Sequence, residues 1–140
     1  MHDQASVAPG LARWRGAFLI AFAVLLIGKI AVAASLSPFG DEAFYWQESR
    51  HPAWGYSDLP PLTAWMIRLG EALAGHGVLG MRWPFLLVGS LLPWLVVAFA
   101  RHAFDARASW QAGLFCLVLP LAGSLGVLAL PDVPLTVASM

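Results

Sequence analysis

The chain has 140 residues, 59% of them hydrophobic and only 11% charged, and its eight basic and eight acidic residues cancel to zero net charge. A soluble domain carries about 25% charged residues, so this composition excludes an ordinary soluble domain, and the lack of clustered Lys and Arg excludes a nucleic-acid binder. The single Cys116 rules out an internal disulfide and a Cys-x-x-Cys metal site.

In chain order, residues 1–15 read as a cytoplasmic tail ending on the basic pair Arg13 and Arg15. Gly16 to Phe39 follows, apolar apart from Lys29. About 20 apolar residues cross a bilayer, and this run exceeds the apolar region of a signal peptide. It is expected to be a span. Lys29 inside it must snorkel or face a polar interior.

Gly40 to Arg82 is a charged, aromatic interruption with Asp41, Glu42, Glu48, Asp58 and Glu71 against Arg50, Arg68 and Arg82. "EAFYWQESR" is expected to form a short helix, with Asp41 as its cap acceptor. After Pro60 and Pro61, Leu62, Trp65, Met66, Leu69 and Leu73 recur at helical spacing. That pattern predicts an amphipathic helix lying in the membrane interface. Gly55, Gly75, Gly77 and Gly80 are read as turns or loose ends. Phe44, Tyr45, Trp46, Trp54, Tyr56 and Trp65 suit an interfacial belt, and their rings equally suit a sugar or a prenyl chain.

Trp83 to Ala100 is expected to be a second span and Ala108 to Pro131 a third, joined by a short link holding Arg101 and Arg107. The density of bases on that link puts it in the cytoplasm and the 40–82 loop outside. With three spans, Asp41 and Asp132 emerge on one membrane face although about ninety residues separate them. The chain ends on apolar "DVPLTVASM", so the expectation is an amino-terminal fragment of a larger helical bundle, inactive alone.

The acids are the candidates for chemistry. Asp41, at the edge of a span, is a candidate general base or an interfacial cap. Asp58, before "LPPL", suits a turn or an oxygen ligand to a divalent cation. Asp132 lies between prolines at a membrane boundary, which marks a functional-site candidate or a simple end of span. Arg50, Arg68 and Arg82 could hold a phosphate through a bidentate guanidinium, and Arg82, at the start of a span, could equally be a topological anchor. Glu42, about 100° around a helix from Asp41, supports the helix start or pairs with a base.

"DEAFYWQESRHPAWGYSDLPPLTAWMIRLG" resembles the first outer loop of bacterial membrane glycosyltransferases related to the dolichyl-phosphate-mannose protein mannosyltransferases. Relatives include aminoarabinose transferases acting on lipid A and galacturonic acid transferases acting on lipopolysaccharide core. "LALPDVPL" is similar to the second acidic signature of these enzymes, and the resemblance runs from about Leu19 to the end. It implies an all-α multispanning GT-C fold, of which residues 16–140 are a part with about three transmembrane helices. It also implies a bacterial inner-membrane location with the 40–82 loop periplasmic. The expected partners are a polyprenyl-phosphate-linked sugar, a cell-envelope acceptor and membrane lipids, without a nucleotide cofactor.

By motif, Asp41 corresponds to the acid that activates the acceptor, Asp132 to a second active-site acid, and Asp58 to an acid implicated in binding a divalent metal. Glu42, Arg50 and Arg82 are the expected substrate contacts. Many relatives have His or Lys before the two prolines where this chain has Leu59, so the donor phosphate would fall to an arginine. The competing reading is a transporter or lipid flippase, with Lys29 as its chief support.

Overall fold

The structure, a computed structural model, describes residues 4–56 and 60–140. It is all-α: α1 (Gln4–Ser35), α2 (Gly40–Ser49), α3 (Pro61–Ala74), α4 (Val78–Ala103), α5 (Ala106–Val118), α6 (Pro120–Ser124) and α7 (Asp132–Ala138). No strand occurs among the described residues. Gly10–Ser35 of α1 and the whole of α4 are long and apolar enough to cross a membrane. Leu19, Ile20, Val24, Ile27 and Ile30 stand exposed along α1, an outer surface suited to acyl chains.

The third apolar segment is not one continuous helix. Asp105 caps α5, its side chain accepting from Ala108 N–H at 2.8 Å. α5 then stops at Val118 because Leu119, preceding Pro120, is held in an extended conformation. After the short α6, Gly126 turns the chain at φ +90°, a region open to glycine at little cost. Hydropathy over 108–131 hid this punctuation.

The chain forms two compact units, one from residues up to Gly28 with Leu91–Gly123, the other from Lys29–Ser90 with Ser124–Met140. The first packs Phe18, Val97, Trp110 and Leu117 into a core, with Trp14, Phe22 and Leu25 against it. Trp94 meets Phe18 edge-on at 5.0 Å between centroids, a favoured aromatic geometry. A Cβ at Gly113 would strike Val97 and Phe18, so glycine is what lets α5 approach so closely. Arg15 and Arg101 both lie over the Trp110 ring, at 6.0 and 5.0 Å, so bases from either side of the 40–82 loop gather at one place.

In the second unit α2 packs against α3. The inner face of α3 is Thr63, Ala64, Ile67, Gly70 and Glu71, while Leu62, Trp65, Leu69 and Leu73 face outward. The expected stripe therefore exists, and it is the outer face. Gly75 ends α3 at φ +87°. Gly80, expected at a turn, lies inside α4 instead, where a Cβ would collide with the Gly75 carbonyl. Leu125 and Gly126 press their backbone on Gly89 and Phe85 of α4. Lys29 points inward and donates to the Leu125 carbonyl at 2.9 Å, supplying a donor where the broken helix leaves carbonyls without helical partners.

Candidate active site

The start of α2 differs from the expected cap. Phe39 is the cap residue and Asp41 lies in the first turn. Glu42 does the capping by reaching back, its Oε2 accepting Phe39 N–H at 3.0 Å, which is one half of a capping box. Asp41 keeps its carboxylate exposed.

Glu42 and Arg82, both fully buried, form the anchor of this region. Arg82 Nε donates to Glu42 Oε1 at 2.8 Å and Nη2 to Oε2. Arg82 also donates to the carbonyls of Ala33, Leu36 and Ser37, so the end of α1 is gathered onto the start of α4. Those five bonds use all the donors of a guanidinium. The expectation that Glu42 and Arg82 contact substrate is corrected accordingly: neither is accessible, and Arg82 has no N–H left for a phosphate. Burial opposes ionisation of Glu42, yet the Arg82 hydrogen bonds, the N–H groups of Phe39 and Ala129, and the Arg82 charge together hold its carboxyl below the usual range.

Tyr45 sits one turn beyond Asp41 on the same side of α2. It is 5% exposed. Burial pushes its phenol above the ordinary value, and the charges of Asp41 and Asp132 push it further. Both acids thus act on one phenol, Asp41 from the first turn of α2 and Asp132 from the first residue of α7. Both carboxylates are exposed. The spacing between Asp41 and Tyr45 was visible in the sequence; the action of the Asp132 charge on the same phenol was not.

Arg50 belongs to a different place. Nine residues after Asp41, it lies about 180° around α2 from that acid. Its guanidinium stacks on Trp46 at 4.3 Å and approaches Glu71 at 3.7 Å. Glu71, 6% exposed, also accepts Trp46 Nε1–H at 2.8 Å and faces His76 Nδ1 at 3.5 Å. These side chains line a cavity of about 430 Å³ with Pro38, Val78 and Met81. The expected substrate contact through Arg50 is therefore not brought to Asp41. The Glu71 cluster went unforeseen because Glu71 resembles any polar residue of an amphipathic helix.

Asp58 lies outside the described residues. Among the described residues no group of three or more His, Cys, Asp or Glu side chains could hold a metal.

The family model described as dolichyl-phosphate-mannose-protein mannosyltransferase matches residues 58–140. The chain belongs to this family. It is a membrane glycosyltransferase in kind, with a lipid-linked sugar donor and an acceptor in general. The matched stretch includes Asp132 and Arg82 but not Asp41 and Glu42. No curated protein and no solved structure matches the chain.

Proposed function

We propose that the protein moves a sugar from a polyprenyl-phosphate donor to a hydroxyl of a cell-envelope acceptor (lipid, lipopolysaccharide or protein). The observation that carries this reading is the bond from Ala129 N–H to Glu42 Oε1 at 2.7 Å, which ties the segment bearing Asp132 to the helix bearing Asp41, within a chain of this family. Asp41 takes the proton of the acceptor hydroxyl, whose oxygen attacks the anomeric carbon. The bond from that carbon to the donor phosphate oxygen breaks, and the electron pair leaves with polyprenyl phosphate. Asp132 orients the acceptor or its cation.

Positive charge must meet the departing phosphate. With Arg82 sealed in the interior and Arg50 around the helix, a divalent cation is proposed for that role, and Asp58 as one of its oxygen ligands. When bound, the cation would neutralise charge developing on the phosphate. The 40–82 loop is placed on the extracytoplasmic side of a bacterial inner membrane, where a lipid donor presents its soluble sugar at the interface. Lys29, the chief support for a transporter, is engaged with the Leu125 carbonyl, which removes that motive.

The test uses membranes of cells expressing the protein from its own gene, supplied with a radiolabelled polyprenyl-phosphate sugar or with the matching nucleotide sugar. Transfer is expected from the lipid donor and to be abolished by chelation. Transfer from the nucleotide sugar in membranes stripped of polyprenyl phosphate would sink the reading. Exposed Trp54 (92%) reports the side: Trp54→Cys in a Cys116→Ser chain should react with a membrane-impermeant maleimide on intact spheroplasts, and failure to react would put the loop inside.

A further inference from the structure

Glu42 Oε1 accepts two donors from distant parts of the chain: Arg82 Nε at 2.8 Å and Ala129 N–H at 2.7 Å. Its neighbour along α2 is Asp41, and three residues beyond Ala129 stands Asp132. From Leu125 to Asp132 the chain is largely irregular, with Gly126 at positive φ. Regular helical hydrogen bonds do not set where this segment lies. Leu125 carbonyl is held by Lys29, and Ala129 N–H, four residues on, by Glu42. Ala129 itself is fully buried. Glu42 cannot swing, because Arg82 takes both its oxygens and Phe39 N–H takes Oε2.

We infer that Glu42, locked by Arg82, is a positioning residue that fixes Asp132 against Asp41 by clamping the Ala129 backbone. The inference rests on the proposed transfer reaction for its functional meaning, but its geometry stands apart from that reading. Glu42 touches no substrate. It acts by keeping the acid-bearing start of α7 in register with the acid-bearing start of α2, and a displacement of about 1 Å in such a constellation costs about 100-fold in rate.

Tyr45 supplies a readout independent of turnover. The Tyr45 phenol is followed by carbon-13 NMR of ring-labelled tyrosine in nanodiscs of unlabelled scaffold, its signal assigned by its loss in Tyr45→Phe, in a Tyr56→Phe background that removes the other tyrosine of this sequence. In this background Asp132→Asn and Asp41→Asn should each lower the Tyr45 midpoint. When Glu42→Gln is added, the Asp132→Asn effect should disappear while the Asp41→Asn effect persists. If Glu42→Gln does not fold, the paired replacement Glu42→Leu with Arg82→Met removes the clamp without leaving a buried charge and carries the same comparison. An undiminished Asp132→Asn effect after loss of the clamp overturns the inference. Sugar transfer is measured on the same chains: the Glu42 variants should lose about 100-fold in kcat, with donor KM little changed. Failure of transfer in the parent chain would defeat the proposed reaction alone, whereas unchanged Tyr45 coupling in a transfer-competent chain would defeat the clamp alone.

Discussion

Asp41→Asn is expected to lower turnover at saturating donor and acceptor by at least about 100-fold, the scale of lost acid–base catalysis. Asn nearly preserves volume and still accepts a hydrogen bond, but it takes no proton. Asp41 is exposed and does not cap α2, so the substitution leaves the helix start in place, since Glu42 holds Phe39 N–H. The loss should therefore appear in kcat at unchanged thermal stability. The comparison is steady-state transfer in membranes with protein levels matched, beside Asp58→Asn, whose loss should appear as weaker dependence on divalent cation or donor. Near-normal turnover of Asp41→Asn would remove the base from the scheme.

The second large effect concerns stability. Arg82→Met strands a buried carboxylate and frees the carbonyls of Ala33, Leu36 and Ser37. Breaking one side of a buried pair costs about 3–5 kcal/mol, a large share of the 5–15 kcal/mol that holds a typical domain together. The single variant should unfold in detergent well before the parent, by thermal or denaturant titration. Replacing Glu42 and Arg82 together by apolar residues should recover much of that loss. Equal loss in both variants would show that the pair is not the anchor. The acid has a pH signature as well. Glu42 is held below its ordinary 4.5, so its contribution is present above the unfolded value and is lost as pH falls through the lowered folded one. Acid unfolding of the parent should therefore gain steepness below about pH 4.5 relative to the paired apolar variant.

Hydropathy made α1 and α4 legible because a bilayer demands length and apolarity together. It failed on 108–131, where Pro120 and Gly126 break the helix within a segment that is apolar throughout. The outward stripe of α3 could be read from spacing, whereas the close approach of its inner face depended on Gly70, where a Cβ would meet Gly80 and Pro84. Asp41 and Glu42 show the limit most clearly. Adjacent in sequence, they point about 100° apart on a helix, and only packing decides that one is exposed and the other sealed against Arg82. The three arginines offered for phosphate looked alike in sequence. Arg82 proves structural, and Arg50 and Arg68 are engaged with Glu71 and the Ser49 carbonyl.

That Asp41 and Asp132 share one site is the proposal on which the account turns. Asp41→Cys and Asp132→Cys, combined in a Cys116→Ser chain in native membranes, should be joined by a short bifunctional thiol reagent, read as loss of both free thiols in a single protein. Full reaction of both cysteines with a monofunctional reagent, but no cross-link between them, would contradict a shared site.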